Sequence, residues 1–319
     1  MTSSPVNRRQ WQPSPYVILA VGVLAVSTAS IFIRFAQNSQ TPSLVIAAMR
    51  LSLASLILTP FALRNHRPAL RALPRGGLGL ALLSGAFLAV HFASWITSLE
   101  HVSVLVSVVL VTSNPLWVAL LAPLLLRERL SRRTLISILI AFTGGVLISL
   151  AEGGSATRPG GSPLLGSALA ITGAISAALY LIIGRRLRAS LDLVPYIWLV
   201  YGTAAVVLLL TVAATGHTLL GYSPEAYLWM LLLAIVPQLI GHSSFNYALR
   251  HLPAAFVSLV TLGEPVGSTI LAIAILQETP TLLQFVGAAL ILFAVATTRQ
   301  VEEKTLDEVA PVEAGPLGR

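Results

Sequence analysis

Apolar stretches about 20 residues long recur from residue 15 to residue 298 with only short polar breaks between them, and this recurrence leaves few folds open. A helix rising ~1.5 Å per residue needs about 20 residues to cross ~30 Å of hydrocarbon, so each stretch has the length of one crossing. In lipid the backbone must satisfy its own hydrogen bonds, which a helix does within a single segment. The chain is 55% hydrophobic and only 10% charged, outside the range of soluble domains. The expected fold class is therefore all-α: an integral membrane protein of ten transmembrane helices, over 15–36, 42–63, 76–98, 102–126, 133–151, 164–184, 193–215, 225–248, 254–276 and 281–298. Arg8 and Arg9 before an apolar segment imitate a signal peptide. The segment from Tyr16 to Phe35 is long enough to span, lacks a cleavage site and reads as an uncleaved first helix.

Charge placement gives the orientation. A net charge of +8 could point to nucleic acid, but the basic residues sit in short loops between apolar runs without base-stacking aromatics beside them. With the amino terminus inside, 16 of the 20 Lys and Arg lie in or next to inner loops and only Arg158 lies in an outer one. Arg319 is too far from the last span to count, and Arg34 and Arg50 fall within spans. Loops bearing cations resist translocation, so both termini are expected in the cytoplasm and the protein in the inner (plasma) membrane. There is no cysteine, hence no disulfide, thiolate metal site or cysteine nucleophile, and the six histidines lack ligand spacing. No metal, cofactor or nucleic-acid partner is expected.

The two halves overlay at a constant shift of 150 residues: Leu99 on Leu249, His101 on His251, Pro115 on Pro265, Leu126 on Leu276, Glu128 on Glu278. Each match alone is weak, but the shift is unchanged through two helices and their loops. Five helices per copy is an odd number, so the second copy must enter the membrane from the opposite side. Loop charges agree: Arg127, Arg129, Arg132 and Arg133 correspond to Gln277, Thr279, Leu282 and Leu283. The expected organisation is a cytoplasmic tail 1–14, a first repeat 15–151, an external linker 152–163, a second repeat 164–298 and a disordered cytoplasmic tail 299–319. Two similar halves can exchange conformations and open a midplane site alternately to either side.

Pro115 in mid-helix, Leu-Leu-Leu-Arg-Glu-Arg-Leu at 124–130, Leu262-Gly263-Glu264-Pro265 in mid-helix and Leu276-Gln277-Glu278 together resemble the drug/metabolite transporter superfamily, in its ten-helix EamA-like branch. The resemblance covers residues 15–298. It implies a carrier for amino acids, other metabolites or drugs, with a central cavity lined mainly by helices 1, 3, 4, 6, 8 and 9. It does not identify the substrate.

Polar residues at membrane depth each need a reason, because insertion costs at least ~2.5–3.5 kcal/mol for a charge near the helix centre unless it faces protein or water. Glu264 lies about 11 residues into helix 9, ~16 Å deep, beside Pro265, which frees a carbonyl. It is either a substrate-amine or proton site or a structural carboxyl between helices. Its repeat mate Asn114, with Thr112 and Ser113, either lines a polar wall or bonds to a neighbouring helix. His91 and Trp95 share a face of helix 3, and His242 and Asn246 share one of helix 8; the shift lands His91 beside His242, so the pairs are expected on opposite sides of the midplane as gate or wall elements. Trp117, Tyr180, Gln238 and Tyr247 are weaker candidates for the same surface. The expected substrate-binding set is His91, Trp95, Asn114, Trp117, Tyr180, His242, Asn246 and Glu264, with Glu264, His91 and His242 as candidate proton carriers. Arg50, ~12 Å from the outer end of helix 2, either binds a substrate carboxylate or phosphate or has a structural role, clamping helix ends or pairing with an internal acid; the structural reading is preferred because helix 2 is not among the cavity helices the resemblance implies.

No phosphate-binding loop, His-Glu-x-x-His or Gly-x-Ser-x-Gly occurs, so neither nucleotide hydrolysis nor an intramembrane enzyme is expected. The expected function is secondary active export of small metabolites by alternating access, with a passive channel or a non-transporting scaffold as alternatives, acting as a monomer or homodimer in the lipid bilayer.

Overall fold

The computed structural model describes residues 13–102, 104–126, 131–151, 161–267, 271 and 281–309. The Arg-Glu-Arg loop at 127–130, most of the linker (152–160), the Leu276-Gln277-Glu278 turn and residues 1–12 and 310–319 lie outside them. Regular elements among the described residues are helical. In chain order, α1 runs over Pro15–Val26 and Ala29–Asn38, α2 over Ser43–Asn65 and α3 over Arg75–Ser98. α4 is split into Val104–Val111 and Asn114–Leu125, and α5 covers Arg132–Ala151. α6 is Pro163–Arg188, α7 Leu193–Ala214, α8 Pro224–Ala248, α9 Ala254–Gly267 and α10 Leu282–Val309. Among the described residues, seven helices are long and apolar enough to cross a membrane, and Ala254–Gly267 and Phe285–Thr297 are shorter apolar helices. Helix α10 continues through 299–309, where the sequence was expected to be disordered.

Large apolar side chains point outward, Leu164, Leu124, Leu56, Leu210 and Phe293 among them, whereas Arg50, Ser84, Ser107 and Gln238 are buried. A water-soluble fold shows the reverse. Lipid is the solvent that makes this arrangement favourable.

Three helices are interrupted near mid-length, and each break is satisfied locally. In α4, Pro115 has no N–H to donate, so the helix restarts at Asn114 after a turn over Thr112 and Ser113. Thr112 Oγ1 donates to the Val108 carbonyl and Ser113 Oγ to that of Leu110, both at 2.6 Å. In α9 the same break precedes Pro265, with Thr261 Oγ1 donating to the Ser258 carbonyl at 2.6 Å. In α1, Ser27 Oγ donates to the Val23 carbonyl at 2.7 Å and reaches the Glu264 carbonyl at 3.3 Å, joining the α1 and α9 breaks. Helix α8 instead widens into a nine-residue π segment, Ala234–His242, around Pro237.

The packing repeats itself under exchange of the two copies. α3 packs on α6 as α8 packs on α1, and α3 meets α7 as α8 meets α2. The pairs α2–α7, α5–α10 and α4–α9 each join a helix to its own mate. Those mates run in opposite directions. Trp198 Nε1 donates to Thr59 Oγ1 at 3.0 Å, while a Cβ at Gly202 would lie 3.2 Å from Ser55 Oγ, so advancing on one helix retreats on the other. Likewise Ser137 meets Thr297 at 3.4 Å, and a Cβ at Gly144 would lie 2.6 Å from the Gly287 carbonyl oxygen. Only glycine permits that approach of α5 to α10. Antiparallel mates are what two inverted repeats require.

Candidate functional site

Where α3 and α8 face each other, the rings of His91 and His242 stand 6.3 Å apart, close to the pseudo-two-fold axis. The two pairs were expected at symmetry-related places on opposite sides of the midplane, and the structure brings one histidine of each within contact range. The cause is the inverted geometry itself: near-equivalent residues close to the axis become neighbours. Phe92 packs against His242 at 5.2 Å and Trp95 stacks on His91 at 5.9 Å. His91 Nδ1 is 2.9 Å from the Gly173 carbonyl oxygen, which fixes the ring against α6. His242 Nδ1 is buried without a partner.

Around this pair lies one cavity, lined by Arg50, His91, Trp95, Thr112, Asn114, Tyr180, His242, Thr261 and Glu264 with apolar residues between them. Both copies contribute. The α4 and α9 breaks meet in its wall, where Thr261 Oγ1 donates to Asn114 Oδ1 at 3.2 Å. Six residues expected from sequence thus share one lining: His91, Trp95, Asn114, Tyr180, His242 and Glu264. Asn246 stands behind it, fully buried. Its amide donates to the Tyr180 hydroxyl and, at 2.8 Å, to the His242 carbonyl. Trp117 is not in the lining; it packs half-buried against the main apolar core.

Arg50, for which a structural role was the preferred expectation, lies fully buried in the cavity wall. Its Nε donates to Gln238 Oε1 at 2.9 Å and the guanidinium carbon lies 4.1 Å over the Phe92 ring. Nη1 and Nη2 have no hydrogen-bond partner, and no ion pair joins Arg50 to Glu264. The π segment explains part of this arrangement. Widening α8 turns Gln238 and His242 inward together, which the sequence signalled only through Pro237.

At the end of the bundle carrying 189–192 and 249–253, cations are used differently. Buried Arg188 donates from Nε to the Asn246 carbonyl at 2.9 Å and from Nη1 to that of Leu191. Arg185 Nη1 donates to the Leu249 and Arg250 carbonyls at 2.8 and 3.2 Å. Arg250 pairs with Asp192 at 2.9 Å, both largely exposed. His251 stacks beside Tyr247 at 5.0 Å, and its pKa is pushed down by burial and by Arg250, Arg188 and Arg185. These contacts tie the ends of α6 and α8 into a latch. At the opposite end the corresponding link is slighter, with Glu100 Oε1 accepting from the Ser43 amide at 3.3 Å.

The solved structures contain this fold: one crystal structure superposes with a TM-score of 0.74 over 91% of this chain and 98% of its own, at 18% identity. Among curated proteins, an uncharacterized transporter of Archaeoglobus fulgidus is 24% identical, covering 87% of this chain and 93% of its own length. The uncharacterized transporter YetK of Bacillus subtilis is also 24% identical, covering 90% of this chain and 87% of its own. The EamA-like transporter family model matches twice, over residues 14–150 and 164–299, in step with the two packed copies. This multi-pass membrane protein belongs to the EamA-like transporter family.

Proposed function

We propose that the protein is a secondary active carrier that exports small polar metabolites, amino acids or related compounds and drugs, across the inner membrane by alternating access. One observation carries the reading: a single cavity beside the pseudo-two-fold axis, lined by charged and polar groups from both copies in an otherwise apolar bundle. Such a site is expensive in lipid unless it binds something. Exchange of conformation between the copies would open it first to one side and then to the other. In this reading the chain crosses the membrane ten times with both termini in the cytoplasm. The latch of Arg185, Arg188, Arg250 and Asp192 then closes the cytoplasmic side. His91, Trp95, Asn114, Tyr180, His242 and Glu264 contact substrate, and Asn246 holds Tyr180. Glu264, His91 and His242 are the groups able to carry a proton.

The test is transport by purified protein in sealed proteoliposomes under an imposed proton gradient. A carrier accumulates its substrate uphill and shows counterflow when the trans side is loaded. Flux that only runs downhill and never shows counterflow would identify a passive facilitator, and no flux across an amino-acid and drug panel would favour a scaffold.

A further inference from the structure

Arginines that reach into the bundle are used in two ways among the described residues. Arg188 and Arg185 clamp helices by donating to carbonyls at helix ends. A clamp at Arg50 would do the same, yet only its Nε is occupied, by Gln238. With the Phe92 ring below the guanidinium and Gln238 at its edge, the group is held in one plane and its two terminal nitrogens are left over. Trp95, in the same lining, has a buried and equally unpartnered Nε1–H. Buried donors without protein acceptors are costly. The cavity lining therefore holds three N–H-bearing atoms, two on a cationic fork and one on an indole, that no protein acceptor engages.

We infer that Arg50 and Trp95 form a carboxylate receptor, and that the transported compound carries a carboxylate that lies on the Arg50 fork. The inference rests on the carrier reading above and narrows its substrate class. Two parallel N–H groups of a planar guanidinium match the two oxygens of a carboxylate. Charge selects carboxylate over phosphate. The lining contains one permanent cation, Arg50, and a carboxyl group, Glu264, so a monoanion is balanced by Arg50 whereas a dianion leaves excess negative charge in lipid. A cationic substituent on the same compound would face Glu264 across the cavity.

The experiment uses the full-length protein in detergent and compares the thermal shift caused by the standard amino acids, simple organic acids, their carboxamide analogues and sodium phosphate. The expected result is stabilisation by one or more carboxylates and at least tenfold weaker apparent affinity for the matched carboxamide. Arg50→Gln should remove that preference. Should Arg50→Gln fail to fold, Trp95→Phe provides the second reading, with carboxylate affinity expected to fall several-fold and carboxamide affinity unchanged. Equal affinity for acid and amide, stabilisation by phosphate alone, no response to any carboxylate, or an unaltered preference in the variants would each overturn the inference. Counterflow of a substrate without a carboxylate would also overturn it while leaving the carrier reading intact; absence of counterflow for every compound tests the carrier reading instead.

Discussion

Asn114 precedes Pro115 in the first copy and Glu264 precedes Pro265 in the second, at the same break in the same kind of helix. One position offers an amide bonded to Thr261, the other a carboxyl group in the cavity wall. The pattern extends further: Arg50 corresponds to Val200, Trp95 to Phe245 and His242 to Phe92. Proline breaks, helix pairings and apolar volume are common to both copies, whereas charge and hydrogen-bonding groups are not. In the proposed alternating-access cycle the common part would supply two arrangements of similar energy. The unshared part gives the cavity a cationic and an acidic group from different copies, and so a fixed orientation for a ligand.

If that division is right, changes to the shared skeleton should destroy folding, and changes to the unshared groups should spare folding and alter flux. The largest effect is expected from Gly144→Leu, which drives a side chain into the Gly287 backbone; overpacking of ~3 kcal/mol or more should abolish monodisperse protein in size-exclusion chromatography. Glu264→Gln keeps the shape and removes the charge. Transport should drop by about tenfold or more, since a charged hydrogen bond contributes ~1.5–3 kcal/mol, while the melting temperature stays near that of the parent. Asn114→Ala, at the matching position, loses one neutral bond and should cost roughly fivefold in transport, about 1 kcal/mol. A larger loss at Asn114 than at Glu264 would break the comparison.

Smaller effects belong to the latch. Arg250 and Asp192 are both well exposed, so Asp192→Asn should change the balance of the two access states by no more than about 1 kcal/mol, read as a less than fivefold change in labelling from the 249–253 side. His251 gives the smallest. Its folded-state pKa lies below the ordinary value of 6.5, so an unfolded or opened latch takes up the proton first. Its contribution is complete above pH 6.5 and declines as pH falls through that value toward the folded pKa. His251→Phe should flatten the acid side of the latch's labelling profile by a small amount, and a steeper profile would contradict the assignment.

Much of this was readable from the chain. Helix positions follow from apolar length, and the inverted copies follow from the constant shift together with the odd helix number per copy and the loop cations that the second copy lacks. Six residues of the cavity lining were legible because a polar group at membrane depth is costly wherever it occurs. The depth of Arg50 was evident from sequence, but its contact with Gln238 on α8 was not, because that side chain lies in the π segment. Proximity of His91 to His242 also escaped a linear reading, because residues near a symmetry axis meet across it rather than within one helix. Trp117 was a weaker candidate than Trp95 from sequence, and packing keeps it out of the lining.

The central claim is that the cavity beside the axis is reached from both sides of the membrane in turn. A single cysteine at Ala177, which lines the cavity without a polar role, can be introduced into this cysteine-free chain and labelled with an impermeant maleimide in right-side-out and inverted vesicles. The account predicts labelling in both preparations, with each rate changed by an imposed proton gradient or by transported substrate. Labelling confined to one preparation under every condition would contradict it.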